Sequence, residues 1–456
     1  MHERTQRSLA RLVFVACCAL PTLLTLACIA ATWTPWYDRR CRTAIEARLS
    51  NETGLQVAIE DFTILSPYAT QLDRVRLSEP ETGAEVATVA SVHWSEENGQ
   101  TVIVLQQPEL QASTLRWSWR LIHDRFLCRP ERQKTVTRFA ANDLTIHSKQ
   151  EPITLRDVQA WIEPQSDVNS SGDAIESIQA TIACVTASDP SATPIRVSIR
   201  RELAGKIPET LWSLQTGDTA LPCSFLAEYF SSQWSNLGNN ATFTGTLAVR
   251  LQEGHWAVDA NGRLGQLALD RIFERQTHRL SGTATLHLDR CRIEPARELV
   301  DISGAVEAAD GVIGRSLLYA AKNHLDFAIA MPEGDEDILY DRLAMQFNLH
   351  GPDLRIHGMC RQELGFERMP VDVAMRIKDM PLALSSPDKL PAVRLMALLA
   401  PSHSELVPLA DQNRHLLPLI IPPRHASPAT MQNASPPRIR SARRYEGNGP
   451  LTGQPR

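Results

Sequence analysis

The chain has 456 residues, of which 43% are hydrophobic and 22% charged, and a formal net charge of −5. That length accommodates two or three domains, and the apolar fraction suffices for a sizeable core. No basic stripe with interleaved aromatics runs through the body, so nucleic acid is excluded as the expected partner.

Residues 12–33 read LVFVACCALPTLLTLACIAATW, without a single charge. An α-helix of that length crosses a hydrocarbon core of about 30 Å. Residues 12–34 are therefore expected to form a transmembrane signal anchor, with 1–11 as a cytoplasmic N-terminus. Membrane helices tolerate a proline such as Pro21, and Trp33, Trp36 and Tyr37 follow where an aromatic belt would sit. Two alternatives stay open. One is a cleaved signal peptide, although its apolar core is typically only about 7–15 residues. The other is lipid attachment at Cys28, although TLAC lacks the usual leucine three residues before the cysteine. Arg4, Arg7 and Arg11 on one side and Arg39, Arg40 and Arg42 on the other leave the orientation undecided by charge.

After the anchor, residues 37–50 have helical spacing at Ala44, Ile45 and Leu49, and Gly54 offers a C-terminal cap. From Val57 the period changes to two. Val57 and Ile59 point one way; further on, Val86, Thr88, Ala90, Val92 and Trp94 alternate with their neighbours. TVIVLQQPELQAS reads as two short strands split by Pro108. Consecutive strands with short turns predict an antiparallel meander rather than βαβ units. DFTI at 61–64 is echoed by DLTI at 143–146, and LDRVRL at 72–77 by LRDVQAW at 155–161, a weak internal repeat. Helices are expected at 222–234 and 314–325, a hairpin around Gly351-Pro352, and a last strand within 369–379. Thirteen of the 29 prolines lie after residue 380. With its excess of arginine, 381–456 reads as a basic, Pro-rich disordered tail.

The chemistry-bearing residues form no known catalytic pattern: there is no HExxH, GxSxG, P-loop or strand-linked GxGxxG. Cys41, Cys128, Cys184, Cys223, Cys291 and Cys360 are far apart and include no C-x-x-C pair. His255, His278 and His287 fit no standard zinc spacing. The acidic run 333–341 lacks the glycine and glutamate positions of a calcium loop. Trp117 and Trp119 share one strand face by spacing. Neither a catalytic residue nor a cofactor nor a metal is expected.

The membrane anchor, the short helix with AIEARLS, TGLQVAIEDFTI and LDRVRLSEPETGAEVATVASVHW together resemble the amino-terminal region of AsmA-like proteins. FTGTLAVRLQEGHWAVDANGRLGQLALDRI, LSGTATLHL and LAMQFNLHGPDLRIHG resemble their carboxy-terminal half. The resemblance covers roughly 12–380. It implies a bacterial envelope protein held by its N-terminal helix in the inner membrane, with its body in the periplasm. It also implies an elongated, curved antiparallel β-groove, phospholipid transport or outer-membrane assembly, and other envelope proteins as partners. The implied fold is mainly β with a few helices, divided into a first β module at 35–216 and a second at 217–380.

A curved sheet with one uncovered apolar face needs a partner for that face, and phospholipid acyl chains are the expected one. Val57, Ile59, Val92 and Trp94 are the expected lipid-contacting positions. The competing expectation is a non-catalytic interaction scaffold, in which the helices at 222–234 and 314–325 close the same face into an ordinary core.

Overall fold

The computed structural model describes residues 12–32, 34–115, 120–129, 135–148, 152–168, 174–187, 191–203, 207–225, 237–274, 276, 278–334, 336–360, 372–378 and 380–399. The expected pair Trp117 and Trp119, and most of the expected helix 222–234, lie outside them.

The apolar run is helical but not uniform. A π-helical turn at Val15–Ala19 leads into α1, Leu20–Thr32. Pro21 accounts for the wider turn: it has no N–H to donate and its ring crowds the carbonyl one turn earlier. The 13 residues of α1 reach about 20 Å. No helix among the described residues is long and apolar enough to cross a membrane, so the expected uninterrupted spanning helix is not found. The next helix, α2, is Pro35–Thr53. Thr34 caps it, its hydroxyl accepting from the Tyr37 N–H at 3.4 Å, and Pro35 opens it. Gly54 ends it in the left-handed conformation, its N–H donating to the Ser50 carbonyl at 2.8 Å.

The described residues that follow are built on one sheet of 21 strands. Its first strands are β1 (Gln56–Ala58), β2 (Asp61–Ser66), β3 (Ala69–Ser78), β4 (Glu85–Glu97) and β5 (Gln100–Gln111). Next come β6 (Thr137–His147), β7 (Ile153–Val168), β8 (Ala174–Thr186), β9 (Ile195–Glu202) and β10 (Glu209–Gln215). Then follow β11 (Leu221–Pro222), β12 (Thr242–Gln252), β13 (His255–Ala268), β14 (Thr283–Glu294) and β15 (Leu299–Ile313). The last are β16 (Ala328–Ile329), β17 (Ile338–His350), β18 (Asp353–Gly358), β19 (Val373–Ile377), β20 (Met380–Leu384) and β21 (Leu390–Pro391). Besides a short helical turn at Leu269–Phe273, the described residues include α3, Arg315–His324, and α4, Val393–Leu399, which pack on it.

Neighbours in sequence pair antiparallel along most of the sheet, but β5 and β6 are parallel. The sheet is therefore mixed, not antiparallel throughout, and it does not close on itself. The parallel joint marks the boundary of the internal repeat. Phe62 opposes Leu72 in the first copy, and Leu144 opposes Leu155 in the second. Each copy then places a left-handed residue at the same point, Arg74 (φ 51°) and Asp157 (φ 49°). By contrast, 216/217 is no boundary. β9, β10 and β12 pair in succession, and the largest core takes Cys184 and Ile195 from one side and Leu221 and Phe243 from the other.

Two more expectations need correction. Pro108 lies inside β5, opposite Val89, and does not split it. The ladder to β6 lapses between Leu105 and Glu109, so the missing proline N–H leaves no acceptor waiting. Residues 381–399 are also not tail. Leu382, Ala383, Leu390, Ala392 and Leu398 are buried in the largest core, and β20 pairs with β16 and β19. Their prolines sit at strand positions and loop ends, which composition alone reads as disorder.

Candidate functional site

Residues directly opposite one another across a ladder share a face. Followed from strand to strand, the partners trace an apolar row. Trp94 of β4 faces Ile103, and Phe139, Ala160, Ile182 and Val197 continue it through β9. Leu214, Leu247, Ala260 and Cys291 carry it through β14. Ile302, Leu349, Leu354 and Leu390 complete it. The row crosses fourteen strands without a polar residue, a contour of about 60 Å at a spacing of about 4.8 Å. A parallel row runs Ile162, Ala180, Ile199, Trp212, Val249 and Val258. On the opposite face the successive partners Thr181, Ser198, Ser213, Ala248, Asp259, Arg292 and Asp301 are polar apart from Ala248. This two-faced pattern is what an antiparallel sheet solvated on one side requires.

The chain covers part of the apolar face itself. Over the C-terminal strands, Leu317 and Leu318 of α3, with Leu325, Phe327 and Leu398, join Leu214, Leu247 and Leu354 in one core. Over β8 and β9, a π-helical turn at Ile122–Leu127 packs Leu127 against Ile162, Ile178 and Ile199. Over β1, β3 and β4, Ile45 and Leu49 of α2 pack on Val57, Ile59, Leu72, Val75 and Val89. From Trp94 to Val197 the long row is only half-buried, whereas Leu214, Leu247 and Ala260 are buried.

Of the four expected lipid-contacting residues, Val57, Val92 and Trp94 lie in strands and Ile59 lies between β1 and β2. Val57 and Ile59 are buried under α2, and half-buried Val92 packs at the edge of the same cluster. Half-buried Trp94 heads the long row. Simple alternation puts Val86, Thr88 and Ala90 on the same face as Val92 and Trp94. A line of interruptions in the ladders changes the phase: Arg74, Ala90 and Gln107 all drop out of pairing, and Arg74 and Gln107 are left-handed. Val89 and Val92, three apart, consequently meet one core.

Sequence spacing does not reveal a second constellation. His123, Asp124 and Cys128 bring three donor atoms within 4.8 Å of one another. The π-turn makes this possible, because the Cys128 N–H donates to the His123 carbonyl five residues back at 2.9 Å. His123 Nδ1 lies 2.8 Å from Asp124 Oδ1, Arg201 Nη1 lies 3.2 Å from His123 Nε2, and Arg120 pairs with Asp124. His123 and then Arg120 hold the Asp124 carboxyl below the usual carboxylate range, while burial raises the Cys128 thiol. The thiol is thus not activated, and two guanidinium groups occupy the polar partners. The cluster pins the turn against the sheet.

No family model, curated protein or solved structure matches the chain. Among the described residues, the others singled out by sequence do not converge on one site. His278 is buried with Nδ1 3.1 Å from Ser316 Oγ, His255 opens β13, and His287 pairs with Arg263 in mid-sheet. In the acidic run, Asp337 is bound by Arg279 at 2.7 Å. Cys184 and Cys223 are buried, and burial pushes their thiols up to about 11 and about 12. Such thiols are inert packing groups.

Proposed function

We propose that this chain is a membrane-attached, non-catalytic envelope protein whose β-sheet offers an apolar face to phospholipid acyl chains, in the service of lipid transport or outer-membrane assembly. The observation that carries this reading is the apolar row across fourteen strands, half-buried from Trp94 to Val197. A half-covered apolar surface of that contour is unfavourable in water, and each methylene buried on it contributes about 0.8 kcal/mol. Such a face has few groups to distinguish headgroups, so tolerance of acyl-chain type is expected. The helix at the N-terminus supports membrane attachment: Leu12, Phe14, Leu20, Leu23, Leu24 and Ile29 are all strongly exposed. The resemblance to AsmA-like proteins points the same way and suggests the bacterial inner membrane, with the body in the periplasm.

The scaffold reading draws on a different observation, the closure of the C-terminal part of the face by α3 and α4. Two neighbouring substitutions separate the readings. Ile103 lies in the row, while Val104 beside it points to the other face and opposes His93. Lipid bound by the purified full-length chain is extracted and quantified for Ile103→Asp and Val104→Asp. A several-fold loss of phospholipid in the first alone supports an acyl-chain surface. Equal lipid content in both variants and the parent sinks it and leaves the scaffold.

A further inference from the structure

We infer that the tip of the β2–β3 hairpin is a second element of this chain that enters the lipid layer, beside the end of the apolar run. The inference rests on the proposed membrane attachment of that run. Three hydrogen bonds order α2 against the first strands. Val57 N–H donates to Ser50 Oγ (3.0 Å), Ile59 N–H to Glu46 Oε1 (2.9 Å), and Arg42 Nη1 to the Glu60 carbonyl (2.8 Å). As the chain advances from 57 to 60 it thus moves back along the helix from 50 to 42. β1 and β2 follow one another along β3, Gln56 opposite Ser78 and Ser66 opposite Ala69, so the direction persists to the tip.

From Arg42 to Pro35 the helix has about 10 Å left at about 1.5 Å per residue. From Glu60 to Ser66 the strand advances about 20 Å at about 3.3 Å per residue. The tip therefore projects about 10 Å past the start of α2, on the side where the apolar run joins it.

What stands at that tip is unusual for a turn in water. Ile64, Leu65 and Tyr68 are 65%, 52% and 70% exposed, among the most exposed large apolar side chains of the sheet. The first turn of α2 adds Trp36, 64% exposed, with the Arg40 guanidinium 5.4 Å from its ring centre, and Arg39 beside it. Tyr68 in the turn with Leu65 and Ile64 just behind it, then Trp36 and the arginines of the first turns of α2, place apolar side chains foremost and cations behind, the order of the apolar and anionic headgroup layers. A depth of about 5–10 Å is the range interfacial elements reach. The occupant of this surface is a bilayer with anionic lipid. Two attachment points would fix the sheet's first edge at the membrane, where one flexible tether would let it rotate.

The full-length chain is reconstituted into vesicles of phosphatidylethanolamine and phosphatidylglycerol at about 3:1, doped with a phospholipid carrying a photoreactive group on its acyl chain. After illumination, lipid adducts are mapped by peptide mass spectrometry. The expected result is adducts on 12–32 and on 61–69, the latter about five-fold or more above those on β4. Ile64→Ser/Leu65→Ser/Tyr68→Ser should abolish the second set and spare the first, with unchanged circular dichroism because all three side chains are exposed. Adducts on 12–32 alone overturn the tip inference and leave membrane attachment standing. Absence of adducts from both segments overturns the attachment and the tip together.

Discussion

At Gly54 the backbone turns left-handed (φ 73°) to end α2, and a Cβ there would stand 2.6 Å from Arg125 Nη2. That guanidinium donates to the Asn51 carbonyl at 3.0 Å, satisfying one of the last acceptors of the helix. Gly54→Ala should cost about 1–2 kcal/mol in denaturant unfolding, more than the cap alone, because Arg125 must also move. Asp301 makes a pH-dependent contribution. Arg290 Nη1 donates to its Oδ2 at 3.0 Å and His350 lies 3.6 Å from its other oxygen, and together they hold its carboxyl below the usual range. A lowered folded value means stability present above about pH 4 and lost as pH falls through it. Asp301→Asn should therefore lower the melting temperature near neutrality by the equivalent of under about 1 kcal/mol, since Arg290 is largely exposed. The gap to the parent should close as pH falls through that lowered value. The cap at Gly54 was legible in NETG, since glycine after a helical run is its own signal. Arg125 lies 71 positions on, and no local pattern joins the two.

Individual elements were legible where local chemistry and tertiary packing agree. α2 has a cap at each end, and α3 falls almost where its apolar spacing predicts. Leu318 of α3 is buried to 1% exposure, so Leu318→Ala should destabilise by about 2–5 kcal/mol, read by urea unfolding. What could not be read was the phase change along β3, β4 and β5. Left-handed turns inside strands are usually signalled by glycine, whereas here arginine, glutamine and aspartate take them at 74, 107 and 157. Asparagine and aspartate accept this conformation and β-branched residues resist it. Asp157→Asn should therefore be near neutral and Asp157→Val should cost about 1–2 kcal/mol. Equal stabilities for the two variants would show that the backbone there relaxes out of the left-handed region.

For the whole molecule, alternation and turn spacing disclosed a β-rich body, because that follows from period-two patterning. The parallel β5–β6 joint was hidden, since pairing partners separated by 36 positions leave no local trace. The end of the folded body was misplaced for a similar reason. Proline and arginine counts after 380 outweigh a few leucines, yet those leucines complete the core begun by Leu214 and Phe243 more than a hundred residues earlier. Ending the chain after residue 380 removes Leu382, Leu390 and Leu398 together with β21, α4 and most of β20. At about 1.5–3 kcal/mol per large buried side chain the loss is on the order of 5–9 kcal/mol, comparable with the entire stability of a typical domain. The truncated chain should therefore lose its cooperative thermal transition, while full-length Leu339→Ser, altering a side chain 72% exposed in β17, should melt as the parent does. A sharp transition in the truncated chain, within a few degrees of the parent, would mean that β20, β21 and α4 dock onto a core already complete without them.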